Sequence, residues 1–250
     1  MNYPFFIISN HETKYCIFDK SFNLVMKTAV THLFFLLLCG FCFSQKDALN
    51  LGDKYADDQV YVSVAYSQFY DQPASVSRSN FSYSLSTGFI KDLILNKQGN
   101  FSVGAGIGYG LDFFNHELKV EEVNNNTIFS SDTSIRTNLF KSQNLEFPLE
   151  LRWRTSNANK YEFWRVYAGI KFLYNLSNNF QFDDTSNLRI KYSDISSYNK
   201  LQYGLTFSAG YDEFNINIFY GLTPIFNNGK IDLEDINTKI LKFGLIFYFL

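Results

Sequence analysis

From residue 59 onward the chain alternates apolar and polar positions with a period of two, in runs about ten residues long. The clearest run, "FSVGAGIGYGLDF" at residues 101–113, has Phe101, Val103, Ala105, Ile107, Tyr109, Leu111 and Phe113 at odd positions and only Ser, Gly or Asp at even ones. Successive side chains of a strand point to opposite faces, so one face here is greasy and the other nearly bare. Repeated glycine weakens a strand unless space on that side is scarce, as in a narrow interior. A phosphate-cradling loop would need G-x-G-x-x-G between strand and helix. Tyr109 stands where the last glycine belongs, and no helical pattern follows.

Eight such runs are predicted to be strands. Their apolar faces are Val60, Val62, Val64 and Tyr66; Phe81, Tyr83, Leu85 and Phe89; the run just described; Leu145, Phe147, Leu149, Leu151 and Trp153; Trp164, Val166, Ala168, Ile170, Phe172 and Tyr174; Leu201, Tyr203, Leu205, Phe207, Ala209 and Tyr211; Phe214, Ile216, Ile218, Tyr220 and Leu222; and Leu241, Phe243, Leu245, Phe247 and Phe249. Each is about as long as the ~9–11 residues a tilted strand needs to cross a bilayer. The opposite faces are small or polar, for example Ser82, Ser84, Ser86 and Gly88, or Gln202, Gly204, Thr206, Ser208 and Gly210.

Alternation alone also fits a soluble barrel with its apolar face inside. The connections decide between the two. Short ones (residues 96–100, 155–161 and 210–215) take turns with long ones (71–79, 115–144, 181–200 and 226–238). An outer-membrane barrel has short periplasmic turns, longer outer loops and an even strand count. The predicted fold is therefore all-β: an eight-stranded antiparallel up-and-down transmembrane β-barrel over residues 59–250. Such a barrel has an interior just wide enough for side chains, so no open pore is expected.

Composition supports an ordered β-rich chain, with 19% aromatic residues and four prolines in 250 residues. A formal net charge of −2 without a basic block gives no reason to expect nucleic acid as a partner. Met26, Lys27, the apolar run at residues 33–43, and the small residues Cys42 and Ser44 read as a secretory signal peptide at 26–44, cleaved after Ser44. Its 11-residue apolar run is too short to span a bilayer as a helix. Residues 1–25 then form an upstream extension and 45–58 a short periplasmic segment.

Cleavage there would remove all three cysteines (Cys16, Cys39 and Cys42) and two of the three histidines, leaving His116 in a polar segment read as a solvated loop. An enzyme would have to use His116 with Ser130, Ser131 or Asp132. The expectation is no catalytic site, no cofactor and no metal; Asp183, Asp184, Asp232, Glu234 and Asp235 read as solvated loop charge.

The fourth and fifth strands form the most distinctive hairpin. Trp153 and Trp164 lie on its apolar face beside the short turn, where an interfacial aromatic girdle belongs. Its other face carries Glu146, Glu150, Arg152, Arg154, Arg165 and Lys171. With Trp153 opposite Trp164, Arg152 would face Arg165 and Glu146 would face Lys171, giving a structural ion-pair network in the lumen. Nearby arginines would keep Glu146 and Glu150 ionised, which argues against acid/base work. Bare glycines on the neighbouring strand would make room for Arg152, Arg165 and Lys171.

The segment "LEFPLELRWRTSNANKYEFWRVYAGIKFLYNLS", residues 145–177, resembles the PorT-like outer-membrane β-barrel proteins of Bacteroidota. The likeness is carried by Pro148, Leu149, Glu150, Leu151, Arg152, Trp153, Arg154 and Thr155, and by the run from Phe163 and Trp164 to Gly169, Ile170 and Lys171. The resemblance implies an outer-membrane location and an association with type IX protein secretion. It brings no catalytic residue. Two functions follow as expectations: a non-enzymatic barrel supporting protein export, or a surface adhesion or ligand-binding barrel acting through its long loops. The partners expected are outer-membrane lipid and other secretion-system or envelope proteins.

Overall fold

The computed structural model describes residues 58–76, 81–96, 98–124, 126–131, 137–155, 164–183, 188–231 and 234–249. The upstream extension, signal peptide and cleavage site expected from the sequence lie outside them. Eight long strands dominate: β1 (Gln59–Tyr70), β2 (Tyr83–Ile94), β3 (Phe101–Asn115), β4 (Thr137–Arg154), β5 (Trp164–Asp183), β6 (Leu201–Tyr211), β7 (Phe214–Gly221) and β8 (Lys239–Phe249). Each pairs antiparallel with its neighbours in sequence, and β8 pairs with β1 from Val60↔Phe249 to Tyr70↔Lys239. That last ladder closes the sheet into an eight-stranded up-and-down barrel and leaves no wall strand with a free edge.

The sequence alternation fixes which way each strand faces. Val60, Val62, Val64 and Tyr66 on β1 are exposed, as are Leu149, Leu151 and Trp153 on β4 and Leu201, Tyr203, Leu205 and Phe207 on β6. Their neighbours point inward and are buried. An apolar exterior is stable only against lipid, and the band matches that of a membrane barrel. Asp212 and Glu213 make the tight turn between β6 and β7, where Asp212 adopts a φ of 53° that short polar side chains tolerate.

Three features depart from the sequence reading. First, Trp153 lies opposite Val166 and not Trp164; Arg154 faces Arg165, Arg152 faces Tyr167 and Pro148 faces Lys171. The hairpin register is therefore shifted by two residues, which keeps every side chain on its expected face. Second, β4 and β5 run 18 and 20 residues, well beyond a bilayer crossing, so part of the expected loops at 115–144 and 181–200 is barrel wall. Between β3 and β4 a further hairpin (Leu118–Val123 with Asn126–Ser131) folds over this end, and Arg189–Ser193 adds an outer strand to β5.

Third, the faces of the overhanging wall are inverted. On β4, Phe147 and Leu149 point outward below and Glu146 and Glu150 inward; above, Lys141 and Gln143 point outward and Phe140 inward. β5 does the same, with Phe172 outward and Lys171 inward below, and Phe180 and Phe182 inward above. A bulge separates the two regimes, at the register shift between Gln143 and Asn144. Asn175 satisfies the irregular backbone there, donating to the carbonyls of Gln143 (3.2 Å) and Ser177 (3.1 Å).

Candidate functional site

The lumen is filled in layers, each built on ion pairs. Nearest the short turns, Asp92 on β2 accepts from Arg152 and, at 2.5 Å, from Arg154 Nη1. Arg152 also donates to Gln59, and its guanidinium lies 4.0 Å from the Tyr167 ring centre. Glu150 sits 3.7 Å from Arg152 Nε. Arg165 donates to the Asp212 carbonyl at 2.6 Å and lies over Tyr248. One layer up, Glu146 accepts from Lys171 Nζ at 2.9 Å and Tyr61 Oη at 3.0 Å. Above that, Asp112 accepts from Lys242 Nζ at 2.6 Å, Ser84 Oγ at 2.5 Å and Asn144 Nδ2 at 2.9 Å.

All six lumen residues named from the sequence are buried, with Arg152 and Arg154 fully so. Asp92, Asp112 and Lys242 complete the set, bringing five buried cations against four carboxylates. Burying a charge is costly unless it is paired, and the near balance of sign supplies that pairing. The three additions lie on β2, β3 and β8. The signal that could have found them is parity: each stands on the inward position of its strand.

The glycine face of β3 accounts for the fit. A methyl group on Gly104 would lie 2.5 Å from Arg152 Cδ, on Gly110 2.7 Å from Glu146 Oε1, and on Gly108 against the Tyr61 hydroxyl. Room is made for Arg152 as expected, but the other occupants are Tyr61 and Glu146 and not Arg165 and Lys171. The central internal cavity, bounded by Glu146, Lys171, Asn217 and Lys242, measures about 10 Å³, room for one water.

The long-loop end is closed by aromatic packing. Phe69 stacks on Phe114 and Phe140 on Phe180, each at 4.2 Å between ring centres, with Tyr198, Ile225 and Phe226 buried around them. His116, expected in a solvated loop, is 6% exposed within this cap and meets Phe69 and Phe180 edge-on at 5.9 Å. Its Nε2 has no hydrogen-bond partner, and burial pushes its pKa down to about 3. Of the serines and acid weighed beside it, Ser130 and Ser131 lie on the hairpin strand Asn126–Ser131, and Asp132 lies outside the described residues.

Among the described residues no group of three or more His, Cys, Asp or Glu could hold a metal ion. Asp183 pairs with Arg189 at 3.0 Å and Asp235 with Lys230 at 3.1 Å; Asp184 and Asp232 lie outside the described residues. Outside the barrel, Trp153 and Trp164 are 44% and 59% exposed near the short turns, and Trp164 meets Tyr211 edge-on at 5.6 Å. The opposite rim carries exposed tyrosines instead: Tyr66, Tyr83, Tyr109, Tyr174, Tyr203 and Tyr220. Aromatics of this kind concentrate where hydrocarbon meets water.

The crystal structure of Ail, the attachment invasion locus protein of Yersinia pestis, aligns with 79% of this chain and 100% of its own at 11% identity and a TM-score of 0.32. A mutant of the Rh. blastica porin aligns with 78% of this chain and 100% of its own at 9% identity and a TM-score of 0.20. No curated protein matches. The family model for the outer membrane protein β-barrel domain matches residues 43–227, well over half of the chain. On that match, and with its closed barrel and apolar exterior, the chain belongs to the outer membrane protein β-barrel domain family and is an outer-membrane barrel.

Proposed function

We propose that this is a non-enzymatic, non-conducting barrel that works through the surfaces at its two ends, and that it supports type IX protein export as a PorT-like component. The observation that carries the first half is the filled lumen: among the described residues, three layers of ion pairs under an aromatic cap occupy the interior. Function then falls to turns and loops, which suits docking to other envelope proteins. The PorT-like half rests on the hairpin of β4 and β5 with its Trp153, Trp164 and inward charge pattern.

In this reading Glu146, Glu150, Arg152, Arg154, Arg165 and Lys171 hold the barrel together from inside, and Trp153 and Trp164 anchor it at the periplasmic interface. The test is the secreted-protein profile of a clean deletion strain. Loss of type IX cargo supports the export role, and an unchanged profile overturns it. A hydrolytic activity of the purified protein that disappears with His116→Ala would overturn the non-enzymatic assignment.

A second reading, adhesion or ligand binding at the cell surface, is favoured by the overhanging β4 and β5 and the folded hairpin they carry. Replacing residues 118–131 by a short linker would then abolish surface binding and leave secretion intact.

A further inference from the structure

We infer that the outer flank of β4, β5 and the strand Arg189–Ser193 is a binding site for the phosphates of an outer-leaflet glycolipid, with Lys141 and Lys191 as its cations and Lys200 at its edge. Lys91, Lys119, Lys171, Lys230, Lys239 and Lys242 each have a carboxylate oxygen within 3.1 Å. Among the described residues, only Lys141, Lys191 and Lys200 have no carboxylate partner. All three lie beside β5. Lys141 is opposite Asn179, Lys191 is opposite Gln181, and the Lys200 carbonyl accepts from the Asn175 amide at 2.8 Å.

Their height on the barrel matters as much as their charge. Lys141 and Lys191 point outward on the wall just above the apolar belt, beyond the bulge at Gln143. The Lys141 ammonium lies 5.7 Å from the Phe113 ring centre, and Tyr109 Oη donates to Gln143 at 2.7 Å on the same face. Tyrosines of the outer rim, Tyr174 and Tyr109, sit directly below. The surface is thus continuous with the lipid-facing belt and changes from apolar to aromatic to cationic where headgroups begin. Asn179 and Ser193 lie between the two lysines and supply further hydrogen-bonding groups, and Asn179 accepts from Ser193 at 2.7 Å. The acidic groups nearby do not neutralise the patch: Asp183 is taken by Arg189, and exposed Asp194 makes no ion pair with any of the three lysines. Unpaired cations in the rows of Asn179 and Gln181, where the outer wall leaves the apolar belt, are complementary to the fixed negative charge of phosphorylated lipid headgroups.

The test titrates the detergent-solubilised full-length protein with bisphosphorylated lipid A and counts bound lipid by native mass spectrometry. The variants are Lys141→Gln, Lys191→Gln and the triple change with Lys200→Gln, with Lys230→Gln as a control remote from the site. Gel mobility before and after heating checks that each variant is folded. We expect binding to weaken by about fivefold per lysine removed, to be unchanged by Lys230→Gln, and to be lost with dephosphorylated lipid A. Equal binding by the triple variant, or by dephosphorylated lipid, overturns the proposal. Full displacement by millimolar inorganic phosphate also overturns it, since the site would then take free phosphate and not lipid.

Discussion

The lower and upper parts of the barrel solve opposite problems with the same two strands. Below the bulge, β4 and β5 turn Leu149, Trp153 and Phe172 to lipid and Glu146, Arg152 and Lys171 to the lumen; above it, Lys141 and Gln181 face outward and Phe140 and Phe180 inward. The difference follows from the solvent on the outside. A wall against hydrocarbon must be apolar outside, so its interior holds whatever polar groups can be mutually satisfied. A wall against water needs the hydrophobic effect to hold it together, so its interior becomes an ordinary aromatic core. The lower part is therefore held by pairing and the upper part by packing, and each fails in its own way.

The sharpest break of the lower part is Asp92→Ala, which removes the carboxylate shared by buried Arg152 and Arg154 and leaves Arg152 with Glu150 at 3.7 Å. Removing one partner of a buried pair costs about 3–5 kcal/mol. Urea unfolding in lipid vesicles should show a lower midpoint, with the closed barrel lost as one unit. In the upper part Phe140→Ala removes a fully buried ring from the stack and costs about 3 kcal/mol. Here the expected result is local: faster hydrogen exchange and proteolysis at residues 114–131, with the closed barrel retained. If Phe140→Ala unfolded the whole barrel, the two parts would not be separable.

Gly108→Leu tests the fit of the lower layers from the other side, since the added atoms meet the Tyr61 hydroxyl and, at 2.8 Å, the Thr87 carbonyl. Overpacking of this kind costs about 1–3 kcal/mol, read as a lower folding yield in vesicles. Folding at the wild-type yield would count against a crowded lumen.

Acid separates the parts more gently. His116 is neutral in the cap with a pKa near 3, against about 6.5 when the cap is open. The open form binds the proton first, so cap stability is full above pH 6.5 and falls by up to about 1.4 kcal/mol per pH unit as pH drops toward 3. Exchange at the cap should speed up over that window, and His116→Phe should flatten the response. The smallest effect is expected at the exposed Lys230–Asp235 pair, where Lys230→Ala should change stability by less than about 1 kcal/mol.

Much of the lower barrel was legible because lipid outside and a polar lumen inside print a period of two directly onto the chain. Val60 to Tyr66, Phe101 to Tyr109 and Leu201 to Phe207 each declared their face. The upper part was not legible, because alternation breaks down where the faces exchange roles. "DFFN" at residues 112–115 places Phe113 outside and Phe114 inside, and "NNFQFD" at 178–183 turns polar groups outward. Such stretches look like loops. The polar sequence neighbours of His116, Asn115 and Glu117, suggest a solvated loop, whereas its neighbours in space are phenylalanines from β1 and β5.

By itself, then, the sequence determined the strand count, the up-and-down order and the face of each residue in the membrane wall, since these depend on local parity and on the lengths of connections. The tertiary structure alone decided the register of β4 on β5, which a shift of two leaves invisible to parity. It also decided which charges meet. Asp92 serves Arg152 and Arg154 from 60 and 62 residues away, and Asp112 serves Lys242 from 130, because barrel closure brings together positions that no spacing along the chain relates.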